Sequence, residues 1–273
     1  MKIEDIQDLI YKKEENGICT ITINQPKRKN AMSLVTFLEI ETVLADMESD
    51  KNAKVLIITG CEEANAFSSG GYFNMNMITS IPKEILREID LTDIAIKRLS
   101  MKLWNFSKPV IAAINGLAVG AGFTMPLLGA DLIYMSEDAW IGFYFMRRAV
   151  IAEFSAHFIL PFYIGFQKTK ELLYFGKKIT AQEAYKLGLV NKILAKEELM
   201  PFVREQALRL IPPKGPSLSI KLMKKTMHNY FHDILSRTLD LENEGLRTLL
   251  KTHDFRESLK ALSQKRDPSF KGK

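Results

Sequence analysis

The amino-acid sequence predicts an α/β protein in which buried strands alternate with helices and a purely helical segment follows. Three observations support this class. The apolar run 109–114 leads into a glycine-rich turn, 115–123, and then into more apolar residues, which is typical of a strand, a tight turn and a buried helix. The apolar run 55–60 fits a buried strand, and Gly70-Gly71 follows it as a second glycine turn. Beyond a Pro/Gly cluster at 211–216, only helical periodicity remains.

Length and composition restrict the protein class. The chain has 273 residues, 47% of them hydrophobic and 26% charged, which fits one large globular domain or a domain with an appendage. No apolar run approaches the roughly 20 residues that span a bilayer, and the N-terminus lacks a signal-peptide core. The two cysteines, Cys19 and Cys61, lie in apolar runs, so we expect buried thiols, no disulfide scaffold and a reducing, cytoplasmic location.

The first third of the chain predicts a strand, a basic loop and a helix. Residues 18–23 are rich in β-formers and end at Asn24-Gln25-Pro26. Ser33 is placed to cap the helix that follows. Between them lie Lys27, Arg28 and Lys29, for which two interpretations are open: phosphate contact or surface solubility.

The later elements follow from the same signals. Residues 81–106 contain a helical apolar pattern, and 131–135 predict a strand. Thr180 to Glu183 fits a capping box, and 197–210 predicts an amphipathic helix. The Pro/Gly cluster suggests a boundary between a core, 1–211, and a C-terminal helical region, 212–273, whose apolar positions suggest a partner surface such as another subunit.

The two glycine turns are candidates for one anion site. A helix that starts at the turn 115–123 presents amides without intrahelical partners and the positive end of its dipole. Two such turns, each after a buried strand, can bring two amides to one point, as an oxyanion hole requires. The alternative is that both are packing turns.

Glu153 is the candidate general base. It stands between the apolar residues 150–152 and Phe154, and a carboxylate in an apolar pocket has a raised pKa. The alternative is a carboxylate that complements a helix N-terminus. His157, four residues further on, reaches Glu153 if a helix continues there.

Other ligands have weaker support. The four histidines show no metal-ligand arrangement with cysteine, and His228 and His232 are interpreted as surface or interface residues. The net charge of +6, with excess Lys and Arg toward the C-terminus, is compatible with nucleic acid, a membrane surface or a phosphorylated small molecule, or simply with a solvated helical face. No RNA-recognition motif is present, so nucleic acid is not expected.

These pieces together resemble one family, the crotonase superfamily of enoyl-CoA hydratases and isomerases. The matching segments run in the family's order across nearly the whole chain: 24–32, 66–71, 108–116 with Gly120-Ala121-Gly122, 130–131, 187–190 and the tail 255–272.

The resemblance implies a fold, an assembly and a ligand. The fold is a spiral of β-β-α repeats with a C-terminal helical trimerisation region, in trimers that often pair into hexamers. The ligand is an acyl-CoA, so coenzyme A is part of the substrate and no separate cofactor is expected. Two backbone amides, of Gly71 and of the Gly120-Ala121 region, most simply Ala121, hold the thioester oxygen and stabilise an enolate.

The resemblance also assigns substrate contacts. Lys27, Arg28 and Lys29 match the loop near CoA, which favours their phosphate interpretation. The acyl pocket is expected to draw on the segments 72–103 and 140–145, with core packing as the alternative for most of their aromatic side chains. The expected acyl-CoA contacts are Ser69, Gly70, Tyr72, Phe73, Tyr144 and Phe145.

Two departures from the family pattern decide the expected chemistry. Typical hydratases carry two glutamates, but the matching positions, near Phe123-Thr124 and within 142–145, have no carboxylate. Glu153 resembles the base of one group of Δ3,Δ2-enoyl-CoA isomerases, in which one carboxylate and one oxyanion hole suffice. We therefore expect an isomerase rather than a hydratase. The alternatives are hydration, thioester or C–C cleavage with Glu153 handling water, an RNA-binding relative, or a structural subunit.

Overall fold

The computed structural model describes residues 1–72 and 81–273. The strands in these ranges are β1 (Leu9–Lys13), β2 (Ile18–Ile23), β3 (Val55–Gly60), β4 (Ala66–Ser68), β5 (Val110–Ile114), β6 (Leu117–Val119), β7 (Leu132–Ser136), β8 (Trp140–Gly142), β9 (Lys178–Thr180) and β10 (Lys192–Leu194). The helices are α1 (Leu34–Ser49), α2 (Lys83–Leu86), α3 (Lys97–Asn105), α4 (Ala121–Gly129), α5 (Ala156–Ile164), α6 (Phe166–Phe175), α7 (Ala181–Lys186), α8 (Lys196–Arg209), α9 (Ser217–Leu249) and α10 (His253–Ser263).

The larger of the two sheets in the described part of the chain has six strands in the order β1-β2-β3-β5-β7-β10. β1 is antiparallel to β2, and the remaining pairs are parallel. Every residue of β3 and β5 is buried. Strands in the middle of a parallel sheet are covered on both faces, which is why their sequences are continuous apolar runs. The predicted strands at 18–23 and 55–60 are therefore confirmed.

The smaller sheet positions the candidate site. Its order is β4-β6-β8-β9, with β4, β6 and β8 parallel and β9 antiparallel to β8. Carboxyl ends of parallel strands lie at one edge of a sheet. The two glycine turns follow β4 and β6, and the segment that leads to Glu153 follows β8. Ligands commonly bind at this edge of parallel sheets.

Two predicted caps have the expected geometry. The Ser33 hydroxyl accepts the Thr36 amide at the start of α1. The Thr180 hydroxyl accepts the Glu183 amide, and the Glu183 carboxylate accepts the Thr180 amide at 2.7 Å. Both helix starts are thus fixed by local sequence, as capping predicts.

The helical pattern at 81–106 forms two helices instead of a continuous one. The Asp90 carboxylate accepts the Thr92 amide at 2.8 Å, which makes a local turn. The Asp93 carboxylate then accepts the amides of Lys97 and Arg98 and so caps α3. Asp side chains that bind nearby amides compete with a continuous helix, and apolar periodicity does not reveal this.

The C-terminal helix α9 begins directly after the Pro/Gly cluster and packs on the core. Its Leu235 and Leu239 belong to the main hydrophobic cluster. His228, interpreted above as a surface or interface residue, stacks on Trp104 with ring centroids 4.0 Å apart and is half-buried. That interpretation was wrong because the α9 face that carries His228 covers α3. The division of the chain at 211 stays a prediction. No helix among the described residues combines the length and apolarity needed to cross a bilayer.

Candidate active site

The two glycine turns lie against each other. A Cβ on Gly70 would lie 2.5 Å from the Val119 carbonyl oxygen and 3.7 Å from the Ala121 nitrogen. A Cβ on Gly122 would lie 2.3 Å from the Ser68 carbonyl oxygen. Gly70 also has a φ of 98°, which L side chains rarely adopt. Glycine is required at both positions because two backbones share this space.

Two amides at this junction have no acceptor among the described residues. Met32 and residues 70–72 form a short parallel bridge in which the Met32 amide donates to the Gly70 carbonyl and the Tyr72 amide donates to the Met32 carbonyl. The Gly71 amide takes no part in it. Ala121 is the first residue of α4, where amides lack intrahelical acceptors and the dipole favours negative charge.

Gly120, also predicted as catalytic, does not offer its amide. Its N–H donates to the Gly142 carbonyl at 2.9 Å, which ties the turn to β8. With a φ of 52°, Gly120 instead turns the chain from β6 into α4. The pair of amides left for an anionic oxygen is therefore Gly71 and Ala121. Within the described ranges, a Cβ on Gly71 would meet no atom within 4 Å.

The basic loop is clamped to the first turn. The Ser69 amide donates to the Lys29 carbonyl at 2.9 Å, and its hydroxyl donates to the Arg28 carbonyl at 3.0 Å. The Arg28 guanidinium lies over the Tyr72 ring, 4.7 Å from its centroid. Lys27 and Lys29 are exposed. Ser69 thus positions the loop, and the two lysines present charge to solvent.

The remaining predicted contacts separate into three groups. Phe145 is buried, and its ring would lie 3.6 Å from a Cβ on Gly120, so it lines the second turn. The Tyr144 ring packs instead against Gly142 and Gly176, so Tyr144 does not line the second glycine turn. Phe73 lies outside the described residues.

The residues on either side of Glu153 are linked by contacts to the elements that carry the two turns. The Phe154 ring packs edge-on against Phe37, with centroids 5.7 Å apart, and Phe37 lies in the first turn of α1, just after the Met32–Gly71 bridge. On the other side, the Val150 amide donates to the carbonyl of Phe145, whose ring faces Gly120. The loop from Val150 to Ser155 thus contacts α1, which follows the bridge to Gly71, and Phe145, whose ring faces Gly120.

The surroundings of Glu153 favour a proton carrier. Burial, and secondarily the nearby charge of Glu242, raise the pKa of Glu153 to about 8. A carboxyl whose pKa lies near neutrality exchanges protons readily at physiological pH. The role of Glu153 as general base stays a prediction.

Glu242 is the residue that sequence reasoning missed. Its carboxylate is buried, accepts the Ser155 amide at 2.8 Å and lies 2.7 Å from His157 Nδ1. His157 therefore pairs with Glu242, not with Glu153 as considered above, and Glu153 is not an isolated carboxylate. A signal existed: Glu242 continues the spacing of Leu235, Leu239 and Leu246 on one face of α9.

The first position used by two-carboxylate hydratases carries no acid. α4 contains no Asp or Glu, and its Thr124 is buried with its hydroxyl 3.3 Å from the Gly120 carbonyl. Within 1–72 and 81–273, no group of three or more His, Cys, Asp or Glu side chains is arranged to hold a metal ion.

Fold and site together define an α/β protein in which two glycine turns after parallel strands present paired amides, and in which the loop after a third parallel strand carries the carboxyl of Glu153. The family model for enoyl-CoA hydratase/isomerase matches residues 13–273. A putative enoyl-CoA hydratase/isomerase of Bacillus subtilis, YngF, is 30% identical over 264 residues, which cover 97% of this chain and 98% of that protein. The chain belongs to the enoyl-CoA hydratase/isomerase family.

Other relatives differ in their named reactions. A crotonyl-CoA hydratase of Syntrophomonas wolfei is 29% identical (97% of this chain, 98% of the relative), and a 1,2-epoxyphenylacetyl-CoA isomerase of Escherichia coli is 27% identical (98% and 100%). The crystal structure of an enoyl-CoA hydratase from Mycobacterium avium subsp. paratuberculosis has a TM-score of 0.83 at 25% identity and covers 97% of this chain and 99% of that chain. The predicted crotonase-type fold is confirmed.

Proposed function

We propose that this protein is an enoyl-CoA isomerase that moves a double bond from C3 to C2 of an acyl thioester, with Glu153 as the proton shuttle. One observation carries the proposal. Glu153, a carboxyl with a raised pKa, lies on the loop that contacts Phe37 and Phe145, while α4 begins without any acidic residue. Relatives named as hydratases and as isomerases both occur, so the preference rests on the carboxylates of this chain.

The proposed mechanism needs only these groups. The thioester oxygen accepts hydrogen bonds from the amides of Gly71 and Ala121. The Glu153 carboxylate takes a proton from C2, and the electron pair spreads over the dienolate to the held oxygen. The Glu153 carboxyl then returns the proton at C4, and the double bond lies between C2 and C3. No water is consumed, and no cofactor beyond the CoA moiety of the substrate takes part.

The basic loop suits the CoA part of the substrate. Lys27 and Lys29 are exposed beside the first turn, and Arg28 lies over Tyr72. Ammonium groups attract phosphates without strict geometry. We propose that this loop contacts the phosphates of CoA while the thioester enters between the turns.

The test is conversion of 3-enoyl-CoA to 2-enoyl-CoA, followed by chromatography of the thioesters. Glu153→Gln keeps the size of the side chain but removes the base, and we expect activity to fall by about 10² to 10⁴. Glu244→Gln is the matched control, since Glu244 is an exposed glutamate on α9. Full activity in Glu153→Gln contradicts the base assignment.

A hydratase reaction is distinguished by the product. With 2-enoyl-CoA in ¹⁸O-labelled water, an isomerase of this type gives no labelled 3-hydroxyacyl-CoA. Labelled product that disappears in Glu153→Gln would instead support water addition by Glu153, the second reaction that the family performs.

We also propose that the chain self-associates as a trimer or hexamer and acts in the cytoplasm. The support for assembly is a set of exposed large apolar side chains on α5, α6 and α9, more than a lone soluble chain needs. They include Phe162, Phe166, Phe175, Leu218, Met227 and Tyr230. Light scattering coupled to size exclusion measures the assembly.

A further inference from the structure

The carboxylate of Glu242 is buried in the apolar face of α9. The side chain is about 2% exposed, with Leu239 and Leu246 buried one turn away on either side. A buried carboxylate is costly unless donors surround it. A carboxylate in this position therefore indicates specific partners.

Its partners all belong to the start of α5. Glu242 accepts the amide of Ser155 at 2.8 Å and that of His157 at 3.4 Å, and His157 Nδ1 lies 2.7 Å from its Oε1. Ser155 stands at the N-cap position, but its own hydroxyl makes no cap bond and has no partner in the described part of the chain. Glu242 thus supplies, from 87 residues away, the cap that α5 lacks locally.

The loop that Glu242 holds is strained. Phe154 and Ser155 have φ values of 59° and 55°, in the left-handed region that non-glycine residues rarely adopt. Such backbone persists only where surrounding contacts determine it, and it is common at functional sites. A further contact comes from Gly245, where a Cβ would lie 2.5 Å from Ile151 Cδ1, so α9 sits directly on this loop.

We propose that Glu242 is a positioning residue for Glu153: it fixes the strained turn 154–155 and so aims the carboxyl of Glu153 at the thioester held by the two glycine turns. The inference rests on the proposed function, because it concerns the same reaction. The negative charge of Glu242 has a second effect, since it adds to burial in raising the pKa of Glu153.

The charged groups around this loop come from three elements. α9 contributes Glu242, and α5 contributes His157. The short 3-10 turn before the loop contributes Arg148, whose pKa is lowered by partial burial. α1 contributes the apolar ring of Phe37. Among these groups, Glu242 is the charge that contributes to the raised pKa of Glu153.

The experiment compares two substitutions of Glu242 with the same two substitutions of Glu244, which is exposed on the same helix. Glu242→Gln keeps an oxygen that accepts the Ser155 amide but removes the charge. We expect the acid limb of kcat/KM for 3-enoyl-CoA to move to lower pH by about one unit. Glu242→Leu removes every acceptor, and we expect kcat to fall about 10- to 100-fold, with KM within about threefold. Both Glu244 variants should match wild type.

The outcomes separate this inference from the proposed function. A wild-type pH profile in Glu242→Gln, together with unchanged kcat in Glu242→Leu, overturns the inference. If Glu242→Leu does not fold, the pH profile of kcat/KM for Glu242→Gln alone decides whether the inference holds. If wild-type protein does not isomerise 3-enoyl-CoA, the proposed function fails. The positioning is then judged by ¹³C NMR titration of the Glu153 carboxyl: an unshifted titration in Glu242→Gln overturns it, and a shift to lower pH supports it.

Discussion

The raised pKa of Glu153 makes the stability of this protein depend on pH in a specific direction. In the folded protein the pKa is about 8, against an ordinary value of 4.5. The folded state therefore binds the proton more tightly than the unfolded state. The contribution of Glu153 to the free energy of unfolding is fully present below pH 4.5 and is lost as the pH rises toward 8. The reason is that the carboxyl group must then lose its proton inside the protein.

The size of the effect follows from the same values. One pKa unit corresponds to about 1.4 kcal/mol, so the rise to about 8 corresponds to at most about 5 kcal/mol. Water reaches the partly exposed side chain and screens part of this cost, and we expect about half to be measurable. Glu153→Gln resembles the protonated glutamic acid and avoids the cost. The free energy of unfolding of Glu153→Gln, relative to that of wild type, should therefore rise by about 2 to 3 kcal/mol when the pH is raised from about 5 to about 9.

Urea unfolding near both pH values, at one protein concentration, measures this difference. Comparison of each variant with wild type at the same pH cancels the titration of every other group. Glu244→Gln should show the same difference from wild type at both pH values. If Glu153→Gln behaves like this control, the carboxyl of Glu153 is not desolvated in the folded protein, and the reasoning about its pKa is refuted.

Three further predictions concern the turns, the basic loop and the assembly. Gly70→Ala should lower the free energy of unfolding by more than about 2 kcal/mol, because Gly70 has a positive φ and a carbonyl oxygen lies 2.5 Å from the new Cβ. Gly71→Ala should lower it by less than about 1 kcal/mol. Lys27→Ala combined with Lys29→Ala should raise KM for acyl-CoA several-fold, more at low salt, with kcat little changed. Tyr230→Asp places a charge on a side chain that is 81% exposed and should dissociate the assembly without loss of helical signal.

Each of these predictions has a contrary result. Equal unfolding midpoints for the two glycine variants would show that the turns do not meet as described. Loss of kcat rather than a rise in KM in the lysine variants would mean that the basic loop acts on the chemistry. An unchanged molar mass for Tyr230→Asp in light scattering would place any self-association elsewhere on the surface.

Local sequence predicted the parts of the fold that depend on local physics. The caps at Ser33 and Thr180 follow from side chains that accept amides three residues on. The strands at 18–23 and 55–60 follow from apolar runs that only a covered sheet can bury. The two glycine turns were identified as candidates for one site, although the backbone that approaches each of them could not be named.

Long-range contacts explain what local sequence did not predict. The partner of His157 lies on α9, 85 residues further along the chain, so no spacing rule near His157 indicates it. His228 is covered because α9 packs on α3, whereas its local pattern resembled an exposed basic helix. The amide of Gly120 was predicted to be available to the substrate because the local sequence does not show that it donates to the Gly142 carbonyl at the end of β8.

The contact between Ser155 and Glu242 has a consequence for the protein during its synthesis. The two residues are separated by 87 positions, and ribosomes release the N-terminal part of a chain first. The glycine turns and Glu153 therefore emerge before the helix that holds the loop of Glu153 in place. A nascent chain without α9 has every strand among the described residues but an unsupported Glu153 loop. Acyl-CoA turnover should begin only when nearly the whole chain has left the ribosome, and fragments that end before Glu242 should be inactive even where they fold.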